Sequence, residues 1–346
     1  MERNEILRRV GSLEQLAFIR PVEFWEGRAD GLRAFDVQNG PLRLQVLADK
    51  ALDIGQLSFK GVNFTFLSKP GLQGRNAYDT RGLEAQRSIM GGLFFTAGLE
   101  NICAPCVVDG KEFPMHGRIR STPAVHLSSD ARWEGEDYVL RLSGEAREAE
   151  LFGENMVLRR SIETRFGEPS VTITDEIENQ SFRPEPLLLL YHINIGYPLL
   201  DGGTELLLPT RSVTARDEDG AGHVDRWNVM DAPVDNEPEY VFIHEPVPAP
   251  DGTVSAAVLN EKLGLGLKLT YSAETLPRFM EWKSVASGDY VLGLEPANAG
   301  VSGRPGHGET GRTLEPFEKE CTRLTFTVLD GRDALRKTRE EIKSFC

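Results

Sequence analysis

The sequence predicts an all-β fold: one large antiparallel β-sandwich with a few short helices. Three observations carry that reading. Apolar and polar residues alternate with a period of two over much of the chain, short turn signals separate the alternating runs, and no strand–helix–strand alternation of the kind that builds parallel sheets is present. Alternation sends successive side chains to opposite faces, so each run buries one face and offers the other to solvent or ligand.

Taken in order, residues 1–30 read as a lead-in segment. Ile6-Leu7…Val10 and Leu13…Leu16-Ala17 are short apolar-periodic pieces broken at Gly11, helical or irregular. Residues 31–346 read as a single sandwich domain that ends in a helix over 332–345. "LRAFDVQNG" and "LRLQVLADKALDIGQLSFKG" alternate between Asn-Gly and Lys-Gly turn signals, a hairpin pattern. Residues 68–90 are polar and Gly-rich, too long for an ordinary connection, and so a candidate functional loop.

"DYVLRLSGEARE", "MVLRRSIETRFG" and "SVTITDEIENQ" read as three successive strands joined at Phe152-Gly153-Glu154-Asn155 and Gly167-Glu168-Pro169. In the last of them Val171, Ile173, Asp175 and Ile177 share one face. "VPAPDG", 247–252, is Pro-rich, but strand-like runs continue on both sides, so it reads as an inter-strand loop. "RPGHGETG", 304–311, reads as a mobile loop. In "RDALRKTREEIKSF" Leu335 and Ile342 lie seven apart with Thr338 near the same face, the pattern of an amphipathic helix. Strands of this length can curve into a concave face, a cleft wide enough for an organic ligand.

Composition narrows the function. At 346 residues, 40% hydrophobic and 27% charged, the chain has the make-up of a globular protein with a sizeable core, and no apolar run is long enough to cross a bilayer. The start, Met1-Glu2-Arg3-Asn4-Glu5, lacks the apolar stretch of a secretory signal, so a cytoplasmic location is expected. A net charge of −14 without a Lys/Arg block argues against nucleic acid or an anionic membrane as partner. Cys103 and Cys106 form one CxxC with Pro105 inside it, while Cys321 and Cys346 are isolated, so neither a disulfide framework, a zinc site nor a thioredoxin-like motif is supported. No metal site is expected.

Two of the histidines have neighbours that suggest a task; His126, His223, His244 and His307 read as surface or core residues. His116 stands in "FPMHGRIR", an irregular polar segment. His192 follows Leu187-Leu188-Leu189-Leu190 in "LLLLYHINIGYP", either as a core histidine with a hydrogen-bond partner or lifted to the rim of a sheet by the strand's last residues. In "YVLGLEPANAG" alternation puts Val291, Gly293 and Glu295 on one face before Pro296 ends the strand. Glu295 is then a carboxylate with open space beside it, or half of a surface ion pair. Trp282 and Lys283 in "MEWKS" suit a sugar's C–H face and its polar groups, or else are a core Trp beside a solvated Lys. Asn194, Asn298 and Arg304 divide in the same way between ligand contact and turn or surface roles. With Lys283 and Arg304 both facing a cleft, an acidic or phosphorylated sugar would gain support.

Taken together, "HGRIR" at 116–120, "LLLLYHINIGYP" at 187–198 and "VLGLEP" at 291–296 resemble, in order and spacing, the aldose 1-epimerase (galactose mutarotase-like) superfamily. "LADKALDIG", "MGGLFFTAGLEN" and "MEWKSVASGDYVLGLEPAN" are similar to a bacterial branch of aldose-epimerase-like proteins. The resemblance implies the galactose mutarotase-like supersandwich and a cofactor-independent isomerase that interconverts the anomers of an aldose or sugar derivative. It implies Glu295 as general base, His192 as general acid and His116 as a hydrogen-bond partner of the sugar. For the arginine that such enzymes carry near the first histidine, Arg87, Arg118 and Arg120 compete. For an aspartate between the second histidine and the base, Asp231 and Asp235 compete. Two other readings stay open: a carbohydrate-binding protein without turnover, and an isomerase, epimerase or lyase acting at another sugar carbon. A small-molecule sugar is the expected partner, and a homodimer stays open. The spatial expectation is sharp: Glu295, His192 and His116 must converge on one face.

Overall fold

A computed structural model describes residues 3–74 and 82–345. Within them the period-two runs become two large antiparallel sheets packed face to face, beside a small third sheet of two strands, Cys106–Val108 and Lys111–Phe113. The first, of twelve strands, runs in the order Phe18–Glu23, Arg33–Gln38, Leu42–Leu47, Asp53–Phe59, Phe94–Leu99, Glu185–Ile195, Val291–Ala297, Arg278–Ser284, Tyr240–Pro246 and Thr210–Ala215, with two short strands off this path. The second, of eight, runs Glu205–Leu207, Thr253–Asn260, Leu265–Ser272, Lys319–Asp330, Ser170–Asn179, Asn155–Arg165, Asp137–Ala149 and Val125–Glu134.

The leucine run is explained by its position. Glu185–Ile195 is central in the first sheet and buried on both faces, which calls for a continuous apolar run rather than alternation. Leu187, Leu189, Tyr191 and Ile193 enter the core between the sheets. Leu188 and Leu190 point the other way and pack with Phe95, Ala97, Met280 and Ala297 in a second apolar cluster. His192 continues that second face.

One polar network ties the sheets together under the same strand. Arg160, 2% exposed, donates to Asp53 at 2.7 Å and to Asp175 at 2.6 and 2.8 Å. The Tyr191 hydroxyl donates to Asp175 at 2.7 Å. Asp175, which alternation places among the apolar residues of its strand, is buried because this guanidinium and hydroxyl satisfy it.

Several expectations change. The strand Phe18–Glu23 lies inside the segment read as a lead-in and pairs along its length with Arg33–Gln38. His192 is not at a rim: its strand runs on to Ile195 and the residue is 6% exposed. Pro296 does not end its strand, which continues to Ala297. The loop expected at 304–311 contains the helical turns Arg304–Gly306 and His307–Thr310. Part of the 68–90 loop lies outside the described residues; Gly82–Arg87 forms a 3-10 helix. The last helix, Arg332–Lys343, buries Leu335, Thr338 and Ile342 as its spacing predicts.

Candidate active site

Strand register builds the centre of the site. Ile193 pairs with Leu294 and Leu190 with Ala297, so the antiparallel ladder sets His192 directly opposite Glu295. Phe95 pairs with His192 on one side and Met280 with Glu295 on the other. The row Phe95–His192–Glu295–Met280 therefore crosses the sheet on one face. His192 Nε2 lies 3.0 Å from Glu295 Oε1.

The neighbouring row, Asn194–Gly293–Trp282, makes room for this contact. A methyl on Gly293 would sit 3.2 Å from both Glu295 Oε1 and His192 Cε1, and 3.0 Å from Trp282 Cβ. The open space expected beside Glu295 is where the imidazole fits. Aromatic rings fix that imidazole: Phe95 stacks on it at 4.5 Å, and Trp282 and His116 meet it edge-on at 5.4 and 5.5 Å.

His116 reaches the group from the loop after the short strand Lys111–Phe113. Its backbone takes a positive φ of 57°, and its N–H donates to the Cys103 carbonyl at 3.0 Å. Its Nδ1 accepts from the Cys103 N–H at 3.3 Å, which assigns the ring proton to Nε2. Burial, helped by the nearby Arg120, lowers the His116 pKa to about 3, so the ring is a neutral donor at physiological pH.

Burial also decides the charge of the central pair. It raises the Glu295 carboxyl to about 8, with the Glu239 carboxylate adding to the shift and Arg216 opposing it. It drives His192 well below its ordinary range, with His116 adding to the effect and Asn194 opposing it. Both groups are pushed toward their neutral forms, an acid and an imidazole sharing one proton.

The other expected residues divide. Trp282 is in the site, its Nε1 donating to Glu239 at 2.7 Å. Asn194 lies two residues from His192 on the same face; its Nδ2 donates to the Gly92 carbonyl at 3.0 Å, and its Oδ1 is buried without a partner. Arg118 pairs with Glu100 at 2.5 Å from a half-exposed position. Arg120 is buried, and its charge is close enough to His116 to lower it.

Lys283, Asn298, Arg87 and Asp231 do not join the centre. Lys283 is on the opposite face from Trp282, as adjacent strand residues must be, and donates to the carbonyls of Arg226 and Val229 at 2.8 and 2.7 Å. The same face holds a sealed pair, His244 and Glu281, at 3.1 Å with neither side chain exposed. Asn298 continues the ladder, donating to Leu187 O at 2.9 Å and accepting from Leu189 N at 2.8 Å. Arg87 is exposed and pairs with Glu84 at 3.6 Å, while Asp231 pairs with Arg226. Asp235 accepts from Ser287 at 2.5 Å. Arg304 braces the His116 loop, donating to Glu100 O at 2.8 Å and lying over Phe113. With Lys283 and Arg304 both committed elsewhere, the earlier ground for an acidic sugar falls away.

Sequence reasoning missed Glu239 and Arg216. Glu239, between the second histidine and the base, is the carboxylate that reaches Trp282, and Arg216 bonds it at 3.2 Å. No pattern in "DNEPEYV" marks Glu239; only the pairing of Tyr240–Pro246 with Arg278–Ser284 brings it there. Among the described residues no group of three or more His, Cys, Asp or Glu side chains is arranged to hold a metal ion.

This paired-sheet architecture is the fold of galactose mutarotase-like proteins. A protein of Klebsiella pneumoniae subsp. pneumoniae MGH 78578, named as a candidate aldose 1-epimerase, superposes with a TM-score of 0.88 at 20% identity over 94% of this chain and 87% of its own. The galactose 1-epimerase of Lactobacillus acidophilus NCFM gives 0.56 at 14% identity over 91% and 100%. A galactose mutarotase-like protein of Clostridium acetobutylicum gives 0.61 at 12% over 91% and 99%. At these identities the likeness establishes the fold alone. By sequence, residues 29–328 match the domain of unknown function DUF4432, and the chain belongs to that family. No curated protein matches the sequence.

Proposed function

We propose that this protein is a sugar isomerase of the aldose 1-epimerase kind, working by acid–base catalysis without a cofactor. The observation that carries the reading is the 3.0 Å contact between His192 and Glu295, set in a wall of Phe95, Trp282 and His116. Ring opening needs a base at the anomeric hydroxyl and an acid at the ring oxygen. With the shared proton on His192, Glu295 takes the hydroxyl proton while His192 gives its own to the ring oxygen. The pair then again holds one proton, now on Glu295. Rotation about the first carbon–carbon bond and reclosure with the roles exchanged yields the other anomer.

Burial disfavours the charge-separated form of the pair, so the substrate's own hydroxyl groups must help to solvate it. The neutral Nε2–H of His116 is a fixed donor for a sugar oxygen, and Trp282 offers a flat apolar surface for the ring's C–H groups. The test is anomer exchange by NMR magnetisation transfer over a panel of aldoses, wild type against Glu295→Gln. Acceleration by wild type that falls by about a hundredfold or more in the variant supports the reading. Sugar binding without exchange in wild type refutes it in favour of a binding protein.

A further inference from the structure

A second polar cluster adjoins the catalytic row and has no part in the proton transfers above. Lys50, Asp53, Ser88, Met90, Phe95 and Arg120 line a cleft beside it. Phe95 belongs to both: one wall of the cleft, it also stacks on His192. Lys50 and Arg120 are each only 6% exposed. Among the described residues Arg120 Nε and Nη2 have no hydrogen-bond partner, and Lys50 makes no hydrogen bond.

The nearby carboxylates are committed elsewhere. Asp53 accepts from Arg160 at 2.7 Å and from the Thr96 hydroxyl and N–H at 2.8 and 3.1 Å. Asp49 takes the Arg33 guanidinium at 2.5 and 3.0 Å. Asp175 is held by Arg160 and Tyr191. Two cations are therefore buried side by side without a bonded anion among the described residues, in a chain whose net charge is −14. Each is disfavoured where it stands: burial and the charge of Arg120 bring Lys50 down to about 8 against the pull of Asp53 and Asp49, and burial brings Arg120 down to about 10 against that of Asp53. An unpaired buried guanidinium costs stability, and the Nε–Nη2 edge left open on Arg120 is the one that grips an oxyanion with two parallel hydrogen bonds.

We propose that this cleft is an anion subsite, and that the sugar acted on by His192 and Glu295 carries a carboxylate or phosphate held there by Lys50 and Arg120. The proposal rests on the reading of His192 and Glu295 as the sugar site and names the class of sugar that site takes. The bound anion supplies the hydrogen-bonded partner that the two cations lack, adding to the more distant charge of Asp53.

The test uses wild type, Lys50→Met and Arg120→Met with three probes: D-glucose, D-glucuronate and D-glucose 6-phosphate. The first readout is the ratio of kcat/KM for anomer exchange of each anionic sugar to that of glucose, which cancels general damage to the enzyme. The second is binding of glucuronate and of inorganic phosphate by calorimetry, which needs no turnover. Wild type is expected to favour one anionic sugar over glucose by about tenfold or more, and each variant to lose most of that preference. Which sugar is favoured separates carboxylate from phosphate. Equal rates on all three sugars, or a preference that survives both substitutions, overturns the subsite while leaving the isomerase reading in place. No exchange on any sugar, with anion binding that needs Lys50 and Arg120, keeps the subsite and removes the isomerase reading. Neither exchange nor anion binding removes both. Should Arg120→Met fail to fold, Lys50→Met decides by the same readouts.

Discussion

Gly293→Ala tests whether the site depends on the His192–Glu295 contact. The position has no positive φ, so alanine suits its backbone, and the whole effect comes from one methyl group. That methyl lies 3.2 Å from Glu295 Oε1 and from His192 Cε1, and 3.0 Å from Trp282 Cβ. Comfortable separation for carbon is about 3.5–4.0 Å, so the carboxylate and the ring must each give way by several tenths of an ångström. Their contact is now 3.0 Å. Displacing both groups by a few tenths of an ångström disturbs the length and angle of that hydrogen bond. Misplacement on this scale is expected to lower kcat/KM for anomer exchange by about tenfold to a hundredfold. The cost to folding is about 1–3 kcal/mol, the usual toll of one extra methyl group in a packed site. Exchange rates and urea unfolding on the same samples separate the two effects. Activity within about twofold of wild type, with the alanine in place, refutes the claim that the contact is needed.

Four further outcomes are expected. The working pair holds one proton, so kcat/KM should stay level through neutral pH and fall as that proton is lost near pH 8, the value to which burial raises Glu295; a pH–rate profile that rises through 8 contradicts it. The Glu239 carboxylate contributes to that rise, so Glu239→Gln should move the falling limb to lower pH, read from the same profile. Arg160→Met leaves Asp53 and Asp175 buried without their cation and should cost about 3–5 kcal/mol in urea unfolding. Asn298→Ala removes bonds to Leu187 O and Leu189 N and should cost about 1–3 kcal/mol by the same assay, with its main effect on stability.

Much of the fold was legible because alternation and turn residues are local. The hairpins around Gly153 and Gly167 and the buried face of the last helix follow from spacing alone. The strand Phe18–Glu23 escaped notice because it is an edge strand with an exposed outer half and Pro21 within it, so it shows no alternation. In the site, alternation placed Gly293 and Glu295 on one face. It could not place His192 opposite Glu295, since the register of strands about a hundred residues apart is set by packing across the whole sheet. Lys283 is different. The same alternation that admits Trp282 excludes its neighbour, so the opposite placement of Lys283 is encoded in "MEWKS" itself. Glu239 and the Lys50–Arg120 cleft depend on contacts between distant segments, which no local pattern encodes.

The central claim is that His192 and Glu295 act as one proton-exchanging unit. It is tested most directly by a double-mutant cycle on the anomer-exchange rate, comparing Glu295→Gln, His192→Gln and the double variant. Because each partner is useless without the other, each single substitution should cost about as much as the two together, and the losses should be strongly non-additive. Losses that simply add would contradict the account, for they would mean that the two residues work separately across their 3.0 Å contact.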